Sequence, residues 1–239
     1  MISVCMTSYN GKQYIQKQIE TILGNLSPED ELIISDDGST DGTLQFVQEL
    51  MNTDSRIRLI PGPKRGVIAN FENAILAAKG DYIYLADQDD EWELHKVKEV
   101  QECFATQGSM VVVHDADIVD GEGKVLEPSF FARRNSGPGV WKNIYKNTYI
   151  GCCMAFRKEA LNTILPIPKN IEMHDQWIGV IANAMGGAYF HSTVLFHYRR
   201  HGANVSSFQH YPLAKMLRNR VVFVWELGKR WIKTKGFRK

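Results

Sequence analysis

The chain has 239 residues, 44% of them apolar and 23% charged, which is enough for one large domain or two small ones and excludes a low-complexity or disordered chain. The formal net charge is +1, yet nine basic residues and one acidic residue fall within Lys215–Lys239, leaving 19 basic against 26 acidic in the first 214. That acidic body excludes nucleic acid as an expected partner, and no apolar stretch reaches the ~20 residues of a membrane span.

Ile2–Met6 reads as a buried strand, and Gly11–Leu26 as a helix with Ile15, Ile19, Ile22, Leu23 and Leu26 at helical spacing, ended by Ser27-Pro28. Glu31–Ser35 is a second strand, Asp36–Gly42 a turn-rich loop and Thr43–Met51 a helix. Ile57–Ile60 is a third strand broken by Pro61–Pro63, Gly66–Lys79 a helix, Asp81–Ala86 a fourth strand and Glu91–Phe104 another helix. This alternation predicts a parallel sheet with helices on both faces. From Met110 the rhythm changes. Met110–Val113 is strand-like, and Glu127–Asn147 is a long, aromatic- and Arg-rich stretch read as a mobile or substrate-facing loop. Ile150–Arg157 follows as strand, Asp175–Met185 as helix, Ala188–Tyr198 as strand, and the tail from Leu213 as helix.

Cys5, Cys103, Cys152 and Cys153 form no CxxC pair and read as buried reduced thiols of a cytoplasmic protein, neither a disulfide framework nor a zinc site. No basic region precedes the opening apolar run, so no secretory leader is expected.

Ligands of open parallel sheets bind beyond the carboxyl ends of the strands. Three polar clusters fall there: Thr7-Ser8-Tyr9-Asn10, Asp36-Asp37-Gly38-Ser39-Thr40-Asp41-Gly42 and Asp87-Gln88-Asp89-Asp90. Helix capping by Ser39, Thr40 or Asp41 needs one residue and leaves most of these side chains unexplained. Three carboxylates within four residues repel one another unless protons or a cation neutralise them. Hard divalent cations take oxygen ligands, commonly one or two carboxylates plus substrate phosphates, so the third cluster points to a metal–diphosphate site, with a solvated acidic turn as the plainer alternative.

These clusters resemble those of family 2 glycosyltransferases with the GT-A fold. The likeness rests on Thr7–Asn10, on Ile33–Thr43, on Gly80–Asp90 with its DxD segment, and on His174-Asp175-Gln176-Trp177. It implies a mixed, mainly parallel sheet flanked by helices, with a nucleotide-sugar-binding half over 1–109, an acceptor-binding half over 110–212 and a basic helical tail over 213–239. It also implies roles. Asp37 or Asp36 would hydrogen-bond the base of a UDP- or dTDP-sugar, with Thr7 and Tyr9 lining the base pocket. Asp87 would lie by the ribose and diphosphate. Asp89, or Asp90 if the register shifts by one, would hold Mg²⁺ or Mn²⁺. Asp175 would be the base that deprotonates the acceptor hydroxyl in an inverting displacement, its alternative role being a helix cap. The segment Phe196–Ser206 resembles one of bacterial rhamnosyltransferase-like members, which implies Arg199 as a diphosphate contact and His201 as a further metal ligand or a phosphate contact, with an ordinary surface or core histidine as the alternative. Arg65 is a lesser diphosphate candidate.

The chain lacks a Gln-x-x-Arg-Trp motif, so transfer of a single sugar to a glycan or lipid-linked acceptor is expected. Two rivals are a nucleotidyltransferase that makes the donor and a non-catalytic carbohydrate-binding scaffold. The first usually opens on a Gly-rich phosphate loop, which Met6–Gly11 is not; the second leaves the carboxylates unexplained. No G-x-G-x-x-G or P-loop sequence occurs. The basic, Trp-bearing tail reads as a membrane-surface helix, placing the protein at the inner face of the cell membrane; packing against the core and an oligomer contact are its alternatives.

Overall fold

A computed structural model describes residues 1–200 and 212–236. In chain order the strands and helices are β1 (Ile2–Ser8), α1 (Ile15–Leu23), β2 (Glu31–Asp36), α2 (Thr43–Met51), β3 (Ile57–Pro61), α3 (Val67–Ala77), β4 (Tyr82–Ala86), β5 (Glu91–Trp92), α4 (Lys96–Gln107), β6 (Val111–Val119), β7 (Val125–Glu127), α5 (Phe130–Arg134), α6 (Val140–Tyr145), β8 (Met154–Arg157), α7 (Leu161–Ile164), α8 (His174–Gly186), β9 (Ala188–Arg199) and α9 (Leu213–Lys233). One sheet runs β3-β2-β1-β4-β8-β6-β9-β5, with β7 paired to β6.

The four strands at the β3 end are mutually parallel, because a crossover helix, α1, α2 or α3, joins each of them to the next in the chain. All seven residues of β1 and all six of β2 are buried, as expected for strands covered on both faces. β8 runs antiparallel to both β4 and β6, while β6 and β9 are parallel, so the sheet is mixed and mainly parallel. At the amino ends of β1 and β2, Ser3 Oγ donates to Glu31 at 2.6 Å, the Lys79 amide donates to the same carboxylate at 2.8 Å, and Arg58 pairs with it. This buried acid is a structural clamp at the end of the sheet remote from the polar loops.

Three expectations change. The helix expected from Glu91 begins at Lys96, because Glu91 and Trp92 pair instead with His197 and Phe196 of β9. The indole then packs 5.9 Å from the Tyr84 ring, a tertiary contact that overrides local helix propensity. The strand expected from Ile150 is confined to Met154–Arg157, preceded by a single tight turn at Gly151–Cys153. The expected loop at Glu127–Asn147 folds into α5 and α6. Ser129 caps α5 by accepting the Ala132 amide, and buried Asp115 of β6 anchors it by accepting the Phe131 amide at 2.8 Å.

Helix α9 starts where expected and lies against the body. Phe223 meets the Trp177 ring edge-on at 5.9 Å. Arg230 donates to the carbonyls of Thr163, Leu165 and Pro166, and Asn170 donates to Glu226 at 2.9 Å. Among the described residues no helix is long and apolar enough to cross a membrane. All four cysteines are buried and unbridged.

Candidate active site

The carboxyl ends of β1, β2 and β4 open into a cavity of about 1610 Å³, lined also by residues of α5, α6, α8 and α9. The loop after β2 sorts the two adjacent aspartates. Asp36 continues the strand in register with Ser8 and points into the protein. Its carboxylate accepts hydrogen bonds from Ser8 Oγ (2.6 Å), the Gly38 and Ser39 amides (2.9 and 2.7 Å) and Ser39 Oγ (2.6 Å). Gly38 sits at φ +100, which turns the loop back over that carboxylate. With its oxygens committed and 3% of its surface exposed, Asp36 shapes the loop. Asp37 lines the cavity and accepts the amides of Lys64 and Gly66 at 2.7 and 3.2 Å. Thr7 and Tyr9 line the same end. Arg65 is exposed and outside the lining; its neighbour Lys64 lines the cavity.

The loop after β4 is fixed from three sides. Gln18, wholly buried on α1, donates to the Asp87 carbonyl at 2.8 Å. Gln88 both accepts from the Tyr9 amide (2.9 Å) and donates to the Tyr9 carbonyl (3.0 Å). Arg199 closes β9 behind the loop: its amide donates to Asp90 at 2.9 Å, its Nε to the Asp89 carbonyl at 3.2 Å, and its guanidinium pairs with Glu91. Arg199 therefore acts on the acidic loop from outside the cavity lining, not as a wall of it. His201 lies outside the described residues.

Asp87 and Asp89 line the cavity, and Asp90 lies beneath them, 1% exposed. Oxygens of Asp87 and Asp90 and the sulfur of Cys152 come within 4.8 Å of one another. Asp90 Oδ2 has no hydrogen-bond partner among the described residues, an orphaned buried acceptor of the kind a cation satisfies. Two carboxylate oxygens suit Mg²⁺ or Mn²⁺, whereas the Cys152 thiol, pushed well up by burial, stays protonated and is a poor ligand for a hard ion. The metal candidates are thus Asp87 and Asp90 with Asp89 beside them: Asp90 is the alternative to Asp89 expected from the sequence, and Asp87, expected by the ribose and diphosphate, joins it. Burial, and then the negative charges of Asp89 and Asp175, push the Asp87 carboxyl up to about 7. Asp90 is raised well above the ordinary range by burial and then by the charges of Asp89 and Asp87. Lys96, 1% exposed, donates to the Cys152 carbonyl at 2.9 Å and sits 3.7 Å over the Trp92 ring. Burial lowers its ammonium to about 8.

Asp175 also lines the cavity, in the first turn of α8 and 6% exposed. Asn147 Nδ2 donates to its Oδ1 at 3.0 Å. Burial raises its carboxyl to about 6, against the pull of Asn147 and the backbone amides of Gln176 and Gly151. Beside it His174 stacks 4.0 Å from the Phe71 ring, and burial holds it neutral, down to about 3. Asn147, Gln18 and the α9 residues Met216, Asn219, Arg220 and Phe223 are not legible as site residues: each reaches the cavity or its acidic loop through contacts distant in sequence.

Residues 3–165 match the family model "Glycosyl transferase family 2". The dTDP-rhamnosyl transferase RfbG of Shigella flexneri is 28% identical over 238 residues, covering 90% of this chain and 80% of its own length. An uncharacterized glycosyltransferase of Nostoc sp. is 28% identical over 211 residues, covering 85% of this chain and 66% of that protein. The structure of S. aureus TarS 1–349 with UDP-GlcNAc superposes with a TM-score of 0.73 at 18% identity, over 93% of this chain and 66% of TarS 1–349. The mannosyltransferase PcManGT from Pyrobaculum calidifontis, in complex with GDP-Man and Mn²⁺, gives 0.66 at 17% identity, over 96% of this chain and 64% of that one. The chain thus spans about two thirds of the length of the Nostoc relative and of both structures. The likeness to these structures bears out the GT-A architecture expected from the sequence. Matched by that model over most of its length, this chain belongs to glycosyl transferase family 2.

Proposed function

We propose that the chain is a metal-dependent inverting glycosyltransferase, moving one sugar from a UDP- or dTDP-sugar to a hydroxyl of a glycan or lipid-linked saccharide. The observation that carries this reading is that two acidic sites from distant parts of the chain line one cavity: Asp87 and Asp89 with Asp90 beneath them, and Asp175, raised to about 6 and close enough for its charge to raise Asp87. The nucleotide base would lie by Thr7, Tyr9 and Asp37, and Lys64, at the same end, supplies a cation toward the phosphates. Asp87 and Asp90 would hold Mg²⁺ or Mn²⁺, which when bound offsets the negative charge growing on the departing diphosphate.

Asp175 takes the acceptor proton. The acceptor oxygen then bonds to the anomeric carbon from the face opposite the diphosphate, while the carbon–oxygen bond to that diphosphate breaks and its electron pair leaves with it. A carboxylate raised to about 6 is ionised at neutral pH yet more basic than an ordinary one, the compromise a general base needs. Asn147 fixes its orientation. RfbG, by its name, transfers rhamnose from dTDP, which favours dTDP-rhamnose within a donor panel.

The test is a thermal-stability screen of nucleotide sugars with and without Mn²⁺, followed by transfer assays with the sugar that stabilises. Asp175→Asn should keep the donor-induced shift and lose about 10²–10⁴-fold in transfer rate. A near-normal rate refutes the base assignment, and a screen with no metal-dependent shift refutes the donor site.

A further inference from the structure

Helix α9 carries six basic residues and one acidic residue and shows three faces. One is inward: Met216 and Arg220 line the cavity, and Phe223 and Arg230 are buried. A second is apolar and uncovered. Leu213, Leu217, Val221, Val224, Trp225 and Ile232 are between 47% and 83% exposed. At 3.6 residues per turn they share a stripe about 120° wide, so the most hydrophobic face of this amphipathic helix is left bare by the described residues. The third is cationic, with Arg218, Lys229 and Lys233 along the far edge of that stripe. On the cavity side the stripe borders α6, where Trp141 and Tyr145 are 80% and 70% exposed and the Arg220 guanidinium lies 4.6 Å over the Tyr145 ring.

A continuous exposed apolar patch with an aromatic border marks a contact surface. We propose that this stripe lies flat on an anionic lipid bilayer and holds the α9 side of the cavity against it. Charge selects this occupant. Cations beside an apolar stripe suit anionic headgroups, and the net acidic first 214 residues are repelled by them, which turns α9 toward the surface. A symmetric dimer through the same stripe would set two such helices, each with six basic residues, against one another. Because Met216 and Arg220 belong to both α9 and the cavity wall, an acceptor carried in the lipid reaches the Asp175 side without leaving the membrane. That last consequence rests on the transferase reading; the bilayer contact does not.

The full chain is sedimented with vesicles of phosphatidylcholine alone and of phosphatidylcholine with phosphatidylglycerol. It should partition strongly only onto the second kind, and less at high salt. Leu217→Glu with Trp225→Glu should lower that partitioning at least about tenfold, each change setting a charge among acyl chains. Arg218→Gln, Lys229→Gln and Lys233→Gln together should remove the preference for anionic lipid. Neither set lines the cavity, so the UDP-induced thermal shift should be unchanged, and circular dichroism checks the fold. Wild-type protein that stays in the supernatant with both vesicle types, or variants that sediment like wild type, overturns the proposal. So does a wild-type dimer in size-exclusion with light scattering that Leu217→Glu with Trp225→Glu turns into a monomer, since the stripe is then covered by a second copy.

Discussion

Asn147 offers a direct measure of how the proposed base is tuned. Its side-chain amide donates to Asp175 Oδ1 at 3.0 Å and draws down a carboxyl that burial has raised to about 6. Asn147→Ala removes that donor. A hydrogen bond to a charged group contributes roughly 1.5 kcal/mol or more, and a tenfold change in an acid constant corresponds to about 1.4 kcal/mol, so the carboxyl should move up to about 7. Transfer needs the ionised form, so the acid limb of the kcat/KM profile should move to higher pH. Between values of about 6 and about 7, the ionised fraction at pH 6.5 falls from about three quarters to about one quarter, a roughly threefold loss of rate. At pH 8.5 both proteins are almost fully ionised and the rates should converge. An acid limb that stays put, or an equal loss at both pH values, would mean that Asn147 only shapes the cavity.

Two glycines test the scaffold. A Cβ at Gly80 would meet the Ser3 nitrogen at 2.6 Å and the Ile2 carbonyl carbon at 2.7 Å, backbone atoms at the end of the sheet remote from the cavity. Gly80→Ala should cost about 1–3 kcal/mol in denaturant unfolding while leaving UDP affinity unchanged in the folded protein. A Cβ at Gly11 would meet Gln88 Oε1 at 2.1 Å, and Gln88 is the side chain that ties the Tyr9 backbone to the acidic loop. Gly11→Ala should therefore weaken UDP binding by calorimetry about tenfold, with Gln88→Ala matching it, each losing about 1.4 kcal/mol of binding free energy.

The parallel half of the fold is legible because its signals are local. Buried strands read as unbroken apolar runs, and the polar turns after them mark the cavity edge whatever lies opposite. The adjacent pair Asp36 and Asp37 is legible only as a pair. Alternation along β2 sends one inward and the next outward, and the phase is set by pairing with Ser8, 28 residues earlier in the chain. Arg199 is a similar case: an arginine near an acidic loop suits a diphosphate equally well, and only the pairing of β9 with β5 puts it behind the loop. Glu91 and Trp92 look ordinary at a helix start, and the edge of β9 claims them instead. The cavity wall from Asn147 to α9 assembles through contacts of long sequence separation that no periodicity encodes.

The cavity is built against the stability of the fold. Asp175 has an ordinary value near 3.8 when exposed and about 6 when folded. The native protein binds its proton more tightly than the unfolded chain does, so stability falls as pH rises through that window. Below about pH 4 the carboxyl is protonated in both states and has no effect. Above about pH 6 the native state carries a buried charge, at a cost on the order of 3 kcal/mol for the difference between those two acid constants. Asp175→Asn keeps the shape and the Asn147 neighbourhood without that charge. It should therefore melt at a higher temperature than wild type at pH 8, with the difference shrinking toward zero at pH 4 in metal-free buffer. A structural cap would give the opposite sign, with loss of the carboxylate lowering the melting temperature most at high pH. The first outcome is the one expected of the proposed base, a group that destabilises the fold whenever it is ionised in the wall of a ligand-sized cavity.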